Sequence, residues 1–358
     1  MQLSFASLEM EKRVSMESTL MKVCRLINWE ALRKELTGLY KRELSCAGGQ
    51  EPFDVLMMFK ATLLGQWHSL SDPKLEQALN VRIDFMHFCD LTLADVVPDE
   101  TTLCRFRNRL IKSNKMDKLL MCINSQLQEH GLMIKGTTAA VLDATLIESA
   151  ARPKRTITLE TDNQGNVITQ EDGSQLGVVC MEKQSVDSDA TWVKKGKKSH
   201  FGYRSYVTVD AQDGYVRGVH TAPANESEVN HLDQALDAAD VKPSRLYADK
   251  GYASADNRDN LRQRKIKSAI MHKAHRNTPL TARQKQANVL ISRRRYIIEQ
   301  CFGTAKRLFG MTRASYFGTH KVNAQILLKG ICMNLLKAAN KIFIDTTISW
   351  GAIRPKTV

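Results

Sequence analysis

No stretch of this chain approaches the ~20 consecutive apolar residues that a membrane span requires. Between Met1 and Met21, Glu9, Glu11, Lys12 and Arg13 interrupt the apolar core that a secretory leader would show. A soluble, cytoplasmic chain with no membrane partner is therefore expected. The 8 cysteines stand singly, with no Cys-x-x-Cys pair for zinc and no dense framework for disulfides, so they read as reduced apolar side chains. The 9 histidines supply no His-x-x-x-His on a plausible helix, which again argues against zinc. Glycine-rich phosphate loops are missing, which argues against a nucleotide requirement.

Between Leu261 and His320 the scarce commodity is acid. Fourteen Lys and Arg residues meet the single acid Glu299 there, and this stretch supplies +13 of the formal +14 carried by the 358-residue chain. A mixed-sign charge run reads as a solvated helix face, whereas a run of nearly pure sign reads as a phosphate-binding surface. A lone carboxylate among such cations would repel the ligand unless a metal ion lies between them. The rest is ordinary globular composition, 43% hydrophobic and 25% charged, which excludes a disordered basic arm. The length allows roughly two domains with real cores.

Up to about Gly131 the pattern is helical. Pro52 opens an apolar segment through Trp67, and Ser71 or Asp72 caps a short helix through Leu79. Asp99 or Thr101 caps a helix with Leu103, Phe106 and Leu110 on one stripe and Arg105, Arg107 and Arg109 away from it. This pair resembles a helix-turn-helix, which would turn Arg105 and Arg109 toward DNA; solvated arginines on a packed helix are the competing reading. After Lys135 the character changes. Thr137 to Ile147 is a short apolar, β-prone run around Asp143, and residues 151–199 form a polar insertion of hairpins or loop. Trp192, beside Lys194 to Lys198, reads as a stacking platform for a base or as the loop's apolar anchor. Tyr203 to Asp210 and Tyr215 to Thr221 alternate as two strands about Asp213-Gly214. Asn225-x-x-Glu228 has the form of a capping box that starts a helix. A strand at Arg245 to Asp249, a helix at Ala255 to Arg264 and a strand at Ser268 to His272 follow. Thr281 then caps a long helix stopped at Gly310, and a last amphipathic helix carries Val322 to Ile342.

The acids fall at telling places in this order. Asp143 sits inside an apolar strand, where an unpaired carboxylate is costly without a cation. Asp249 ends a strand, the position at which open α/β sheets place their chemistry. Glu299 shares a helix face with Arg295, four residues before it, and Lys306, seven after it. Each has an ordinary alternative, as a strand-end hydrogen-bonding residue, a turn residue and an ion-pair partner respectively. Together they match what metal-assisted phosphodiester chemistry needs: hard oxygen donors converging from separate elements.

The element order resembles the ribonuclease H-like fold. Asp143, Tyr247-Ala-Asp-Lys-Gly-Tyr252 and Arg293-Arg-Arg-Tyr-Ile-Ile-Glu-Gln-Cys-Phe-Gly-Thr-Ala-Lys306 resemble the three acidic motifs of bacterial DDE transposases of the insertion sequence 5 family. Pro98-Asp-Glu-Thr-Thr-Leu-Cys-Arg-Phe-Arg-Asn-Arg-Leu110 is similar to that family's N-terminal helical motif. Lys195 to Tyr203 and Thr221 to Asn225 resemble its segments around the second and third strands. The likeness runs from about residue 45 to about residue 340, and in its most specific motif Ser292 stands where the family has tyrosine. It implies an α/β chain with an all-helical DNA-binding region at residues 1–135, a ribonuclease H-like catalytic domain at 136–345 with a polar insertion at about 150–200, and a tail at 346–358. It further implies an enzyme that binds the terminal inverted repeats of its element, cuts DNA and joins the 3′ ends to target DNA, as a homodimer on double-stranded DNA. Asp143, Asp249 and Glu299 would hold two Mg2+ ions, with Mn2+ as substitute. Arg295, Lys306, Lys250, Arg293, Arg294, Arg105 and Arg109 would contact DNA. The rivals are a nuclease of the same fold without strand transfer and a catalytically silent helix-turn-helix regulator.

Overall fold

A computed structural model describes residues 17–40, 51–136, 138–153, 155–161, 177–183, 185–239, 241–276, 278–345 and 352–355. The chain begins with helices: α1 (Thr19–Leu26), α2 (Trp29–Leu36), α3 (Val55–Trp67), α4 (Asp72–Val81), α5 (Ile83–Phe88), α6 (Glu100–Lys112) and α7 (Met116–Glu129). Asp54, not Pro52, opens α3: its carboxylate accepts hydrogen bonds from the amides of Leu56 and Met57, both at 2.9 Å. Because α3 is apolar on all sides, it runs through the core, with Leu56 to Gln66 buried. Asp99 caps α6 as expected, accepting from the Thr102 amide at 2.6 Å.

Two further expectations fail in this half. Ser71 occupies the cap position of α4 without a side-chain bond, and its neighbour Asp72 instead receives both guanidinium nitrogens of Arg107, at 2.5 and 2.9 Å. Arg107 is therefore buried, stacked 4.2 Å from the Tyr316 ring, and is not one of a solvated trio. Satisfying a buried guanidinium this way costs less than leaving it unpaired.

The sheet is six-stranded and mixed. Its path runs β4 (Thr191–Lys195), β5 (Lys198–Asp210), β1 (Ala139–Glu148), β7 (Arg245–Ala248) and β8 (Lys267–Ile270), with β6 (Val216–Pro223) on the free edge of β5. β5 is antiparallel to β1 and β6, while β7 and β8 run parallel to β1. The polar insertion contains the antiparallel pair β2 (Arg155–Thr161) and β3 (Gly177–Lys183), and then β4. Trp192 on β4 is 53% exposed with its ring centroid 5.5 Å from that of Phe201, so on one side it is anchored to the neighbouring strand. The expected tail contains β10 (Ala352–Pro355), paired with β9 (Ile342–Asp345).

The helix expected from Asn225 to Ala239 is shorter. Glu228–His231 is a 3-10 turn, and the regular helix α8 is Leu232–Asp237. No capping box forms, because Glu228 takes Arg204 at 3.2 Å and Asn225 takes the Thr191 hydroxyl at 3.0 Å. A charged hydrogen bond outcompetes a backbone amide for the carboxylate. Next come α9 (Ala255–Gln263), α10 (Ala282–Leu308), opened by a Thr281–Gln284 capping box, and α11 (Thr319–Asn340).

Alternation along β1 divides the interior. Val141 faces the larger core, under α10, α11 and the N-terminal helices; Ala140 and Leu142 face the smaller one, under α8 and α9. Helix α11 packs on α1, α3 and α7 as well as on β6, so both ends of the chain contribute to one core. Asn334 of α11 fixes this junction: its amide accepts from Val216 N at 2.8 Å and donates to Val216 O and to Asn124 Oδ1 of α7, each at 2.8 Å. Among the described residues no helix is long and apolar enough to cross a membrane.

Lys329 of α11 lies in this core, 2% exposed, and donates to the carbonyls of Phe309 and Gly310 at 2.6 and 3.3 Å, closing the end of α10. Burial lowers its pKa from 10.5 to about 8. Between those values the unfolded chain binds more protons than the folded one, so the stability due to Lys329 rises with pH across that window. The stabilities of wild type and Lys329→Met from urea unfolding should diverge in their pH dependence between about pH 7.5 and about pH 10; parallel curves would contradict the burial of a charged amine.

Candidate active site

The site is made by strand register. The parallel ladder pairs Val141 with Tyr247 and Leu142 with Ala248, so the next residues, Asp143 and Asp249, stand side by side. Alternation turns both toward the face covered by α10, where Val141 and Tyr247 are buried in the larger core. Asp249 keeps extended backbone (φ −72°, ψ 165°) as the strand gives way to the 3-10 turn Lys250–Tyr252.

Arg295 of α10 joins the two acids. Its Nη2 lies 2.6 Å from Asp143 Oδ2 and its Nη1 lies 3.1 Å from Asp249 Oδ1, while Met271 Sδ is 3.4 Å from Nη1. The Arg295 side chain is only 10% exposed, against 18% for Asp143 and 33% for Asp249. Burial pushes the Asp143 carboxyl up, against the pull of the Arg295 guanidinium and the amide of Ala144. Among the described residues Arg295 Nε is buried without a hydrogen-bond partner, so this cation is held through its two Nη atoms, by the carboxylates and by Met271 Sδ.

Glu228 belongs to these surroundings, although its sequence context suggested only a cap. Burial raises its pKa, Arg204 opposes that, and the charges of Asp143 and Asp249 add to the rise. A Cβ on Gly251 would meet Glu228 Oε2 at 2.1 Å, so the residue two after Asp249 has to be glycine for this carboxylate to lie against the turn. The signal that could have found Glu228 is its place just after β6, a strand of the same sheet paired with β5, a signal the cap pattern masked.

The remaining candidates are distributed around α10. Glu299 is exposed one turn beyond Arg295, and Lys306 is exposed about two turns further on. Lys250 is exposed directly after Asp249. Arg293 and Arg294 are exposed and line a groove of about 920 Å³ beside the β8 edge. Arg105 and Arg109 are exposed on α6, among the N-terminal helices, with Arg109 5.1 Å from the Tyr40 ring. Among the described residues no group of three or more His, Cys, Asp or Glu side chains is gathered closely enough to hold a metal ion. Two carboxylates do converge on one cationic group, however, and a third acid lies a turn away on the same helix. An all-oxygen set of this kind suits a hard divalent cation.

Residues 135–335 match the family described as transposase DDE domain, and residues 8–109 match a transposase domain family (DUF772). The transposase for insertion sequence element IS1106 of Neisseria meningitidis serogroup B is 42% identical over 238 residues, 66% of this chain and 78% of that protein. The cryo-EM structure of a piggyBac transposase synaptic complex with hairpin DNA aligns over 90% of this chain and 74% of that one, at 10% identity and a TM-score of 0.43.

Proposed function

The chain belongs to the DDE transposase family, and we propose that it binds the terminal inverted repeats of its own insertion sequence, cuts DNA there and joins the freed 3′ ends to target DNA. The observation that carries this is the parallel register that sets Asp143, in the middle of β1, beside Asp249, which directly follows β7. The path β6-β5-β1-β7-β8, with β5 alone antiparallel, supports a ribonuclease H-like core, and the quoted motifs support the insertion sequence 5 family. Residues 1–135 form the DNA-binding region in this reading, 136–345 the catalytic domain and 346–358 the tail.

Asp143 and Asp249 would hold the divalent ions, two Mg2+ or Mn2+, with Glu299 as the third acid of the set. When bound, such ions supply Lewis acidity at the attacking and the leaving oxygen. Arg295 keeps the two carboxylates together, and with Lys250 and Lys306 it would supply the cations that face a phosphate. The exposed Arg105 and Arg109 read the end. Because two ends must meet, the active species is a homodimer on DNA.

The test is joining. A pre-cut end duplex, its sequence taken from the inverted repeats flanking the gene, is incubated with plasmid and Mg2+. Covalent end–plasmid product is expected; hydrolysis without joining would replace this reading with that of a nuclease.

A further inference from the structure

The face of the sheet that carries the acids also carries a second row. On β7, Arg245, Tyr247 and Asp249 alternate to the same side, and the β7–β8 register sets Lys267 beside Arg245. This side of the sheet and the outer flank of α10 form the walls of the groove of about 920 Å³. Arg245, Arg258, Lys267, Arg293 and Arg294 line it together with His272, and it has no acidic lining residue. Arg258 is committed to Ser268 Oγ and the Ile270 carbonyl, and Arg245 reaches only the Tyr247 hydroxyl at 3.5 Å. Among the described residues none of these five cations pairs with a carboxylate. Several arginines elsewhere among the described residues do meet an acid: Arg33 with Asp54, Arg107 with Asp72, Arg204 with Glu228 and Arg264 with Asp237.

Like charges gathered without counter-charges repel one another, and a bound polyanion relieves that repulsion. The groove leads to the acids. At one end it is lined by His272, next in sequence to Met271, whose sulfur touches Arg295; at the other it is lined by Arg245, about 13 Å from Asp249 at ~3.3 Å per strand residue. That length covers about four phosphates of one strand of a duplex. Lys and Arg contacts to phosphate fix position and carry no sequence information. An inverted repeat has to be read; a target has to be gripped whatever its sequence.

We propose that this groove between α10 and the β7–β8 edge is the binding site for the sugar–phosphate backbone of target duplex DNA, with Arg245 and Lys267 as contacts at the end remote from the acids. The proposal rests on the transposase reading above, and its test separates the two. Arg245→Glu/Lys267→Glu alters only exposed side chains, neither of them in the catalytic set. Binding of an unrelated duplex and of an inverted-repeat duplex is followed by fluorescence anisotropy over a salt series. For the unrelated duplex, the slope of log K against log salt should shrink by about 2, at ~0.9 per phosphate contact. Binding of the repeat duplex should stay within about twofold, cutting of the end should persist, and joining to plasmid should fall about tenfold or more. Arg245→Lys/Lys267→Arg should keep the wild-type slope. An unchanged slope in the charge-reversed variant overturns the proposal, as does equal loss in the charge-conserving one. Equal loss on both duplexes overturns the assignment to target. If wild-type protein neither cuts nor joins its end, the transposase mechanism fails, while the slope comparison still reads the groove.

Discussion

Asp143→Ala is expected to lower metal-dependent cutting of the cognate end by roughly a thousandfold or more, the scale for losing one group aimed at developing charge. End binding should change little, because the phosphate contacts are assigned to cations elsewhere. The more telling variant is Asp143→Asn. Asp143 Oδ1 accepts the Ala144 amide at 2.8 Å, a bond that an asparagine carbonyl can keep. What asparagine loses is the negative charge facing Arg295 and any bound ion. Folding should therefore survive in Asp143→Asn while cutting is lost as fully as in Asp143→Ala. Asp249→Asn should match it, and the double variant should be no worse than either single one, since groups that act as a unit are not additive. Gel assays of end cutting with Mg2+ decide this: activity within about tenfold of wild type in either single variant would remove these carboxylates from the chemistry.

Much of this site could be read from local pattern. The apolar run 137–147 and the short strand segment 245–249 each hold one acid at a determinate place, and α10 declares itself by the Thr281–Gln284 cap and by Gly310, which has φ +56° past its end. What the sequence hid were side-chain partners distant in the chain. Arg107 looked like one of three equivalent arginines until Asp72, 35 residues earlier, was found beneath it. Glu228 looked like a cap because its true partner, Arg204, lies 24 residues earlier, on β5. The basic stretch likewise read as one phosphate-binding surface, yet helical geometry splits three consecutive arginines, sending Arg295 inward to the acids and leaving Arg293 and Arg294 exposed on the groove. Period and capping are local properties; burial of a charge depends on which acid the fold brings to it.

That inward arginine supports the second large effect. Two carboxylates on adjoining strands repel each other, and Asp143 is already penalised by burial, so Arg295 is what makes the metal-free arrangement tolerable. Arg295→Met retains the aliphatic packing and removes the cation. Breaking a buried ion pair by removing one partner costs ~3–5 kcal/mol, and the lower end applies because Asp249 is 33% exposed. In EDTA the variant should therefore unfold about 3 kcal/mol more easily than wild type. Divalent metal should restore part of this, since an ion between the carboxylates does the same electrostatic work. The thermal midpoint should consequently respond more strongly to Mg2+ in Arg295→Met than in wild type, where the ion has to displace an existing cation. Arg295→Lys should fall between the two, because one ammonium cannot bridge two carboxylates as a planar guanidinium does. A phosphate clamp with no part in holding the acids predicts otherwise: unchanged stability in EDTA, an unchanged Mg2+ response, and a loss confined to DNA affinity. Calorimetric scans of the three proteins with and without Mg2+, in the absence of DNA, separate these outcomes.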